Sequence, residues 1–324
     1  MKVSIRDLSK MTGFSPATIS NALNHKKGVN RETAEEIFRV ARETGYLSAN
    51  AVTKIRLVIF KKNGQILEET PFFQQMIEGI EEECHRLGYE MGISHVDQRN
   101  PNYQKQVRDL LEEQGVGIIL LGTEMMDGDL SLYRNASCPV LLLDHWTELM
   151  DFNSVLINNA DAARAITEHL LDNGHREVGY LRGNYRIKAF RSRFIGFQTA
   201  LKKYKVPYKE EYTVTVGTYM STACQDMLEY LKKKPKLPTA FFADNDIIAL
   251  GAMKALQEMG YRIPEDVSIV GFDDLTFSEI SSPPLTTLRV EKREMGKMAV
   301  RRLVELIDGI GTSTVTKIQV CPKI

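Results

Sequence analysis

The sequence predicts an α/β protein: a two-lobed body of doubly wound parallel sheets behind a small N-terminal all-α unit. Three observations carry that prediction. From Arg56 onward, short apolar runs alternate with longer amphipathic segments, the pattern of strands buried on both faces and covered by helices. There are too many such runs for one sheet of ordinary size, so two lobes are expected. The segment before Arg56 instead holds helix caps and helical periodicity.

The N-terminal unit reads as three helices. Ser4 to Met11 is the first: Ser4 and Asp7 have capping-box spacing, and Ile5, Leu8 and Met11 share one face. Thr12-Gly13-Phe14 is a tight turn in which Gly13 is free to take a positive φ. The second helix opens at Ser15, a good N-cap, with Pro16 at the first helical position, where its missing N–H costs nothing. Ile19 and Leu23 share one face and are expected to bury together. Pro16, Ala17, Ser20, Asn21 and Asn24 then fall on the opposite side, a slim polar face suited to a DNA major groove. The third helix runs from about Asn30, its cap, to Thr44, buries Ile37, Phe38, Val40 and Ala41, and stops at Gly45. Three short helices, one small core and a tight turn between the first two describe a helix-turn-helix. The competing reading is a helical cap that binds nothing.

In the body, strands are expected at Leu57–Phe60, Gly92–Val96, Gly117–Leu121, Val140–Leu143, Val155–Ile157, Val178–Leu181, Tyr212–Val216, Ala240–Ala243, Val267–Val270, Thr286–Val290 and Val315–Val320. Helices are expected at 73–87, 101–114, 161–173, 188–204, 221–234, 246–259 and 292–309. Ligands of such sheets bind beyond the carboxyl ends of the strands. The residues there are Phe72-Phe73, Asp144, Asp244-Asn245-Asp246 and Gly271-Phe272-Asp273-Asp274. Carboxylates accept from hydroxyls, amides donate and accept, and rings stack on apolar sugar faces, so the set describes a pocket for a neutral polyhydroxylated ligand. Asp244 and Asp246 have a competing role as caps of the following helix. Adjacent Asp273 and Asp274 place at most one carboxylate in the cleft. Phe72 and Phe73 cannot both lie on one buried helix face, so one is expected to be exposed to a ligand.

Composition narrows the function. The 324 residues carry 42 basic and 42 acidic side chains, but residues 1–54 hold nine basic against five acidic, leaving +4 there and −4 in the remainder. A basic head on a mildly acidic body suits phosphate binding by the head alone. Cys84, Cys138, Cys224 and Cys321 are far apart and read as core residues or free thiols, not as a metal site or a disulfide framework. No cofactor or metal is expected. Nucleotide-binding glycine loops, HExxH and GxSxG are absent, so no catalytic residues are assigned. His169 and His175 straddle a helix end and read as capping or surface groups, and Lys232-Lys233-Lys234 as a solvated helix end. The sequence shows neither a secretory leader nor a long apolar run, so a cytoplasmic protein without membrane contact is expected.

Together these residues resemble the LacI family of bacterial transcription regulators, over nearly the whole chain. In the head the match lies in Ser15-x-x-Thr18-Ile19-Ser20-x-x-x-Asn24 and Val29-Asn30-x-x-Thr33. In the body it lies in Gly174-His175-Arg176, Arg193-x-x-Gly196-Phe197, Asn245-Asp246, Ile263-Pro264-Glu265-Asp266-Val267 through Asp274, and Pro284-Leu285-Thr286-Thr287. The resemblance implies a homodimer whose two heads read a near-palindromic double-stranded operator. It implies a DNA-binding domain at 1–46, a short hinge at 47–56 and a ligand-binding and dimerisation domain at 57–324. It places Pro16, Ala17 and Asn21 at base edges and Ser4, Ser15, Thr18, Ser20, Asn24 and Thr33 at phosphates. It implies an effector held by Phe72, Phe73, Asp144, Arg193, Asn245 and Asp273, with Tyr219 stacking on its ring.

One departure stands out. The family continues Tyr-x-Pro-Asn into a hinge helix carrying a leucine that wedges into the minor groove. Here the chain reads Tyr46-Leu47-Ser48-Ala49-Asn50, Ser48 replaces the proline, and the linker is several residues too short for a full hinge helix. Less operator bending is therefore expected. The absence of a heptad tail after the last strand points to a dimer rather than a tetramer. Three effector classes remain open. The aromatic and carboxylate set suits a neutral sugar. Arg186, Lys188, Arg191 and Arg193 suit a phosphosugar or sugar acid, and Tyr219 suits a purine. The alternative function is a carbohydrate-binding protein whose helical head has no DNA-reading role.

Overall fold

The structure is a computed structural model, and it describes residues 3–23, 28–46, 52–68, 71–309 and 314–324. The head consists of α1 (Ile5–Thr12), α2 (Pro16–Leu23) and α3 (Arg31–Glu43). Ser4 and Asp7 form the anticipated capping box, and Gly13 takes φ 76° at the end of α1. Asn30 caps α3 by accepting from the Thr33 N–H at 2.8 Å. Leu8, Ile19, Ala22, Ile37, Val40 and Ala41 form the core. Leu23 packs against the same cluster as Ile19, as expected, but is only half-buried at its rim. Ala22 lies three residues after Ile19, still on the buried face, while Leu23 is the last helical residue and overhangs the edge.

The body follows in the order β1 (Lys54–Lys61), α4 (Phe72–Arg86), β2 (Glu90–Asp97), α5 (Tyr103–Glu112), β3 (Val116–Leu121), β4 (Val140–Leu143), β5 (Asn153–Ile157) and α6 (Asn159–Asp172). It continues with β6 (Val178–Gly183), α7 (Lys188–Lys203), β7 (Thr213–Val216), α8 (Met220–Lys232), β8 (Ala240–Ala243) and α9 (Asp246–Glu258). It ends with β9 (Ser268–Val270), α10 (Thr276–Ile280), α11 (Lys292–Ile307) and β10 (Lys317–Val320). One sheet has the strand order β10-β5-β4-β3-β1-β2 and the other β7-β6-β8-β9, and every pairing within them is parallel. These are the two lobes anticipated from the sequence. In β3 all six residues are buried, as its unbroken apolar run requires of a central parallel strand.

The chain passes from the first lobe to the second between β5 and α6 and returns before α11, which packs on α4. That helix pair is in backbone contact. A Cβ on Gly79 would lie 2.0 Å from the Arg293 carbonyl oxygen, and one on Gly296 would lie 2.2 Å from that of Met76.

The expected strand Thr286–Val290 is not formed. Its residues make single bridges, Thr286 to Val270 and Arg289 to both Asp273 and Lys323, because this segment is the crossover between lobes and pairs one residue at a time. Of the anticipated linker, residues 47–51 lie outside the described residues, and β1 already begins at Lys54. Among the described residues no helix is long and apolar enough to cross a membrane, and no group of three or more His, Cys, Asp or Glu is placed to hold a metal ion. The four cysteines are free thiols, Cys84 and Cys224 buried, Cys138 half-buried and Cys321 exposed.

Candidate functional site

Charged groups from both lobes converge where the sheets' carboxyl ends face each other. Asp144 directly follows β4 in the first lobe, and Asp273 follows β9 in the second. Both have positive φ, 55° and 121°, a strained conformation for residues with a Cβ and one that concentrates at ligand sites. Arg193, on α7, is only 4% exposed. Its Nε donates to Asn159 Oδ1 at 2.9 Å, Nη1 to the Asp244 carbonyl at 2.6 Å and Nη2 to Asp273 Oδ1 at 3.3 Å. Its guanidinium lies 3.6 Å from the ring centre of Phe272. These bonds hold the fork rigid, and of this cluster Asp144 alone lines the adjacent cavity, Arg193 and Asp273 standing behind it.

The electrostatics tie the lobes together. Burial pushes the Asp144 carboxyl up to about 6, against the Thr123 hydroxyl, which donates to it at 2.7 Å, and against the attraction of Arg193. Burial likewise raises Asp273 to about 6, opposed by Arg193 and Lys292 and reinforced by repulsion from Asp144. A carboxylate of each lobe and one guanidinium therefore respond to one another. Beside them is a cavity of about 180 Å³ lined by Thr123, Asp144, His145 and Trp146 from the first lobe and by Asn159, Lys188 and Ser192 from the second.

The anticipated residues divide in this setting. Asp144, Arg193 and Asp273 come together. Asn245 is buried and its Oδ1 caps α9, accepting from the Ile248 N–H at 3.0 Å. Asp244 and Asp246 are structural. Asp244 accepts from the Tyr180 hydroxyl at 2.5 Å, from the Gly183 N–H at 2.8 Å and from Arg186. Asp246 accepts from the Leu275 N–H and from the hydroxyls of Ser278 and Thr287. Asp274 turns away from the cleft to pair with Arg289. Phe72 and Phe73, at the start of α4, are both buried and meet edge to face with centroids 5.1 Å apart, so neither is exposed as the sequence suggested. The first turn of α4 is covered on more than one side, and helical spacing alone does not reveal that. Tyr219 is half-buried ahead of α8 and is not in the cavity lining.

Sequence reasoning missed Thr123, Asn159, His145 and Trp146. Thr123 and Asn159 follow β3 and β5, so the strand-end rule extends to them. His145 is buried, its Nε2 makes no hydrogen bond and lies 3.9 Å from Asp127 Oδ1, and burial together with Lys188 pushes its imidazole down to about 4.

On the head, Ser15 Oγ accepts from the Thr18 N–H at 3.1 Å and shares a 2.8 Å hydrogen bond with the Thr18 hydroxyl. Ser4, Ser15, Pro16 and Ala17 are exposed, and Thr18, Ser20, Asn21 and Thr33 are half-buried. Asn24 lies outside the described residues. The polar flank of α2 and the cap of α1 therefore remain open to a partner.

Residues 167–324 match the family described as periplasmic binding protein-like domain. Over 307 residues the chain is 31% identical to the HTH-type transcriptional repressor PurR of Mannheimia succiniciproducens, covering 94% of this chain and 91% of that protein. A transcriptional regulator CelR in complex with cellobiose superposes with a TM-score of 0.75 at 25% identity, over 99% of this chain and 98% of that one. The lac repressor dimer bound to operator and the anti-inducer ONPF shares the fold, with a TM-score of 0.70 at 24% identity over 100% and 97% of the two chains. A capped helix-turn-helix head, two parallel-sheet lobes with a charged cleft and near full-length likeness to repressors agree, and the chain belongs to the LacI family of DNA-binding transcriptional regulators.

Proposed function

We propose that the protein is a dimeric repressor that reads a near-palindromic operator with its two heads and is controlled by a neutral polyhydroxylated effector, of sugar type, in the interlobe cleft. The Arg193–Asp144–Asp273 cluster carries this reading. A ligand whose hydroxyls bond to both carboxylates and to the guanidinium stabilises one relative placement of the lobes, and it shifts the equilibrium by its differential affinity for the two placements. The cations that would favour an anionic effector are engaged or exposed. Arg186 pairs with Asp244, Lys188 Nζ lies 2.5 Å from Asp127 Oδ1, and Arg191 faces solvent. The cavity's size suits a monosaccharide-sized molecule.

In the head, Pro16, Ala17 and Asn21 read base edges while Ser4, Ser15, Thr18, Ser20, Asn24 and Thr33 meet phosphates. The family resemblance adds Phe72, Phe73, Tyr219 and Asn245 to the effector site, which for the buried Phe72 and Phe73 and the capping Asn245 requires the lobes to part as the ligand enters. The chain divides into a head at 1–46, a linker at 47–56 and a ligand-binding, dimerising body at 57–324, and it acts in the bacterial cytoplasm, where the chromosome is. The short linker bends the operator less than a wedge-bearing hinge does; a kinked central base step in a complex would contradict this.

Isothermal titration with D-ribose, cellobiose, ribose 5-phosphate and purine bases tests the effector class. Heat from a neutral sugar that disappears in Asp273→Asn supports the reading. Binding of the phosphorylated sugar or of a purine alone overturns it.

A further inference from the structure

Helix α4 connects the cleft to the head. Its first turn carries Phe72, whose ring lies 5.4 Å from Lys292 Nζ, and that ammonium donates to the backbone carbonyls of Asp273 at 2.5 Å and Asp274 at 3.0 Å. Its far end meets α3. Arg42 Nη1 donates to the Leu87 carbonyl at 3.2 Å, and the guanidinium lies 4.0 Å from the ring centre of Tyr89. Arg42 is only 7% exposed, although it lies near the end of a head helix. Beside it Arg86 donates to Glu35 of α3 at 2.6 Å and to Glu83 at 2.7 Å, and Glu83 also accepts from Arg301 of α11 at 2.6 Å. Fifteen residues make α4 about 22 Å long, and the glycine contacts with α11 make the two helices one stiff unit.

We propose that the surface formed by Arg86, Leu87 and Tyr89 is a docking seat for the protein's own head, and that α4 transmits the state of the cleft to α3 through it. A guanidinium held by a ring face and a carbonyl, and attracted by the Asp308 carboxylate at the end of α11, fits one orientation of α3 and not a range of them. The seven residues between Tyr46 and Lys54 reach at most about 25 Å, so the head stays near the seat. Pro16 and Ala17 remain exposed with the head seated, so docking leaves the reading face of α2 open. The seat therefore fixes where that face points, and a shift of α4 re-aims it. The transmission half of this inference rests on the effector reading of the cleft.

Hydrogen exchange on the full chain tests it with a substitution on the body and a readout in the head. Tyr89→Leu is expected to speed exchange in Ile37–Glu43 by about tenfold while Leu8 and Ile19 peptides keep their protection, showing that the head is still folded. Arg42→Met, which keeps an apolar side chain in the seat, is expected to do the same to peptides spanning Arg86–Met91. Unchanged exchange in both variants overturns the seat. D-ribose, cellobiose and purine bases are then added in turn. A compound that slows exchange around Phe72 should also alter Ile37–Glu43 in the native protein and not in Tyr89→Leu; an equal response in both overturns transmission. If no compound slows exchange at Phe72, the effector reading fails and transmission with it, while the seat stands or falls by the two variants.

Discussion

Asp144 and Asp273 make the cleft sensitive to pH. Each carboxyl is raised by burial to about 6 from 3.8, so the folded protein takes up protons between those values while the unfolded chain does not. Stability contributed by these groups therefore rises as pH falls through that window. Asp246, raised to about 7 by burial and by Asp273, adds to the same slope. Effector affinity should move the opposite way, because a protonated carboxyl loses an acceptor site and its attraction to Arg193. Titrations across pH 7 to 5 should show affinity falling by up to about tenfold per pH unit for each carboxylate that must be ionised, and Asp144→Asn should flatten the profile. His145 does not share in it, because burial holds its imidazole neutral down to about pH 4. Arg193→Met leaves Asp273 buried without its ion-pair partner, so urea unfolding should show a loss of about 3–5 kcal/mol and effector binding should vanish. At this scale the two carboxylates were legible, since Asp144 and Asp273 stand beyond predicted strand ends, whereas Arg193 lies inside α7 and was reached only through the family resemblance. The burial of both Phe72 and Phe73, and the seating of Arg42, were not legible. Both arise from contacts between segments far apart in sequence, which periodicity does not encode.

Among the elements, α2 and the α4–α11 pair carry the sharpest expectations. On the proposed reading of α2, in which Asn21 pairs with a base edge, Asn21→Ala should weaken operator binding by about 1–3 kcal/mol and relax discrimination at one base pair of each half-site. Binding assays on single-base operator variants check this; a uniform loss across all variants would assign Asn21 to the backbone instead. Gly79→Val places a side chain against the Arg293 carbonyl, 2.0 Å from the new Cβ, and should destabilise by about 1–3 kcal/mol or more in thermal unfolding. Elements with a buried face or a cap read well. The strands β4 and β8 fall where their apolar runs lie, and α3 follows its Asn30 cap and Gly45 stop. The crossover at 286–290 was misread because its apolar alternation serves contacts to both lobes rather than a continuous ladder. The short α10 and the helical turn at Asp127–Tyr133 span too few residues to show a period.

At the scale of the whole molecule, a weakly basic head needs a second copy to hold DNA, and Phe277 and Ile280, 44% and 73% exposed on α10, are apolar surface that a partner subunit would cover. Sedimentation should therefore give a dimer, and operator affinity should fall steeply with salt as phosphate contacts from two heads release counterions. The two-lobed architecture was legible because parallel strands buried on both faces leave a strong apolar signature, while the seating of the head on α4 depends on tertiary contact alone. On the proposed function, the cleft's occupant controls DNA reading by the head. Selection of random duplexes by the purified protein, repeated with each member of a panel of sugars, tests it most directly. The expected result is a near-palindromic site whose recovery changes with one neutral sugar. Duplexes recovered without sequence preference under every condition would contradict it and leave a carbohydrate-binding protein with a structural helical cap.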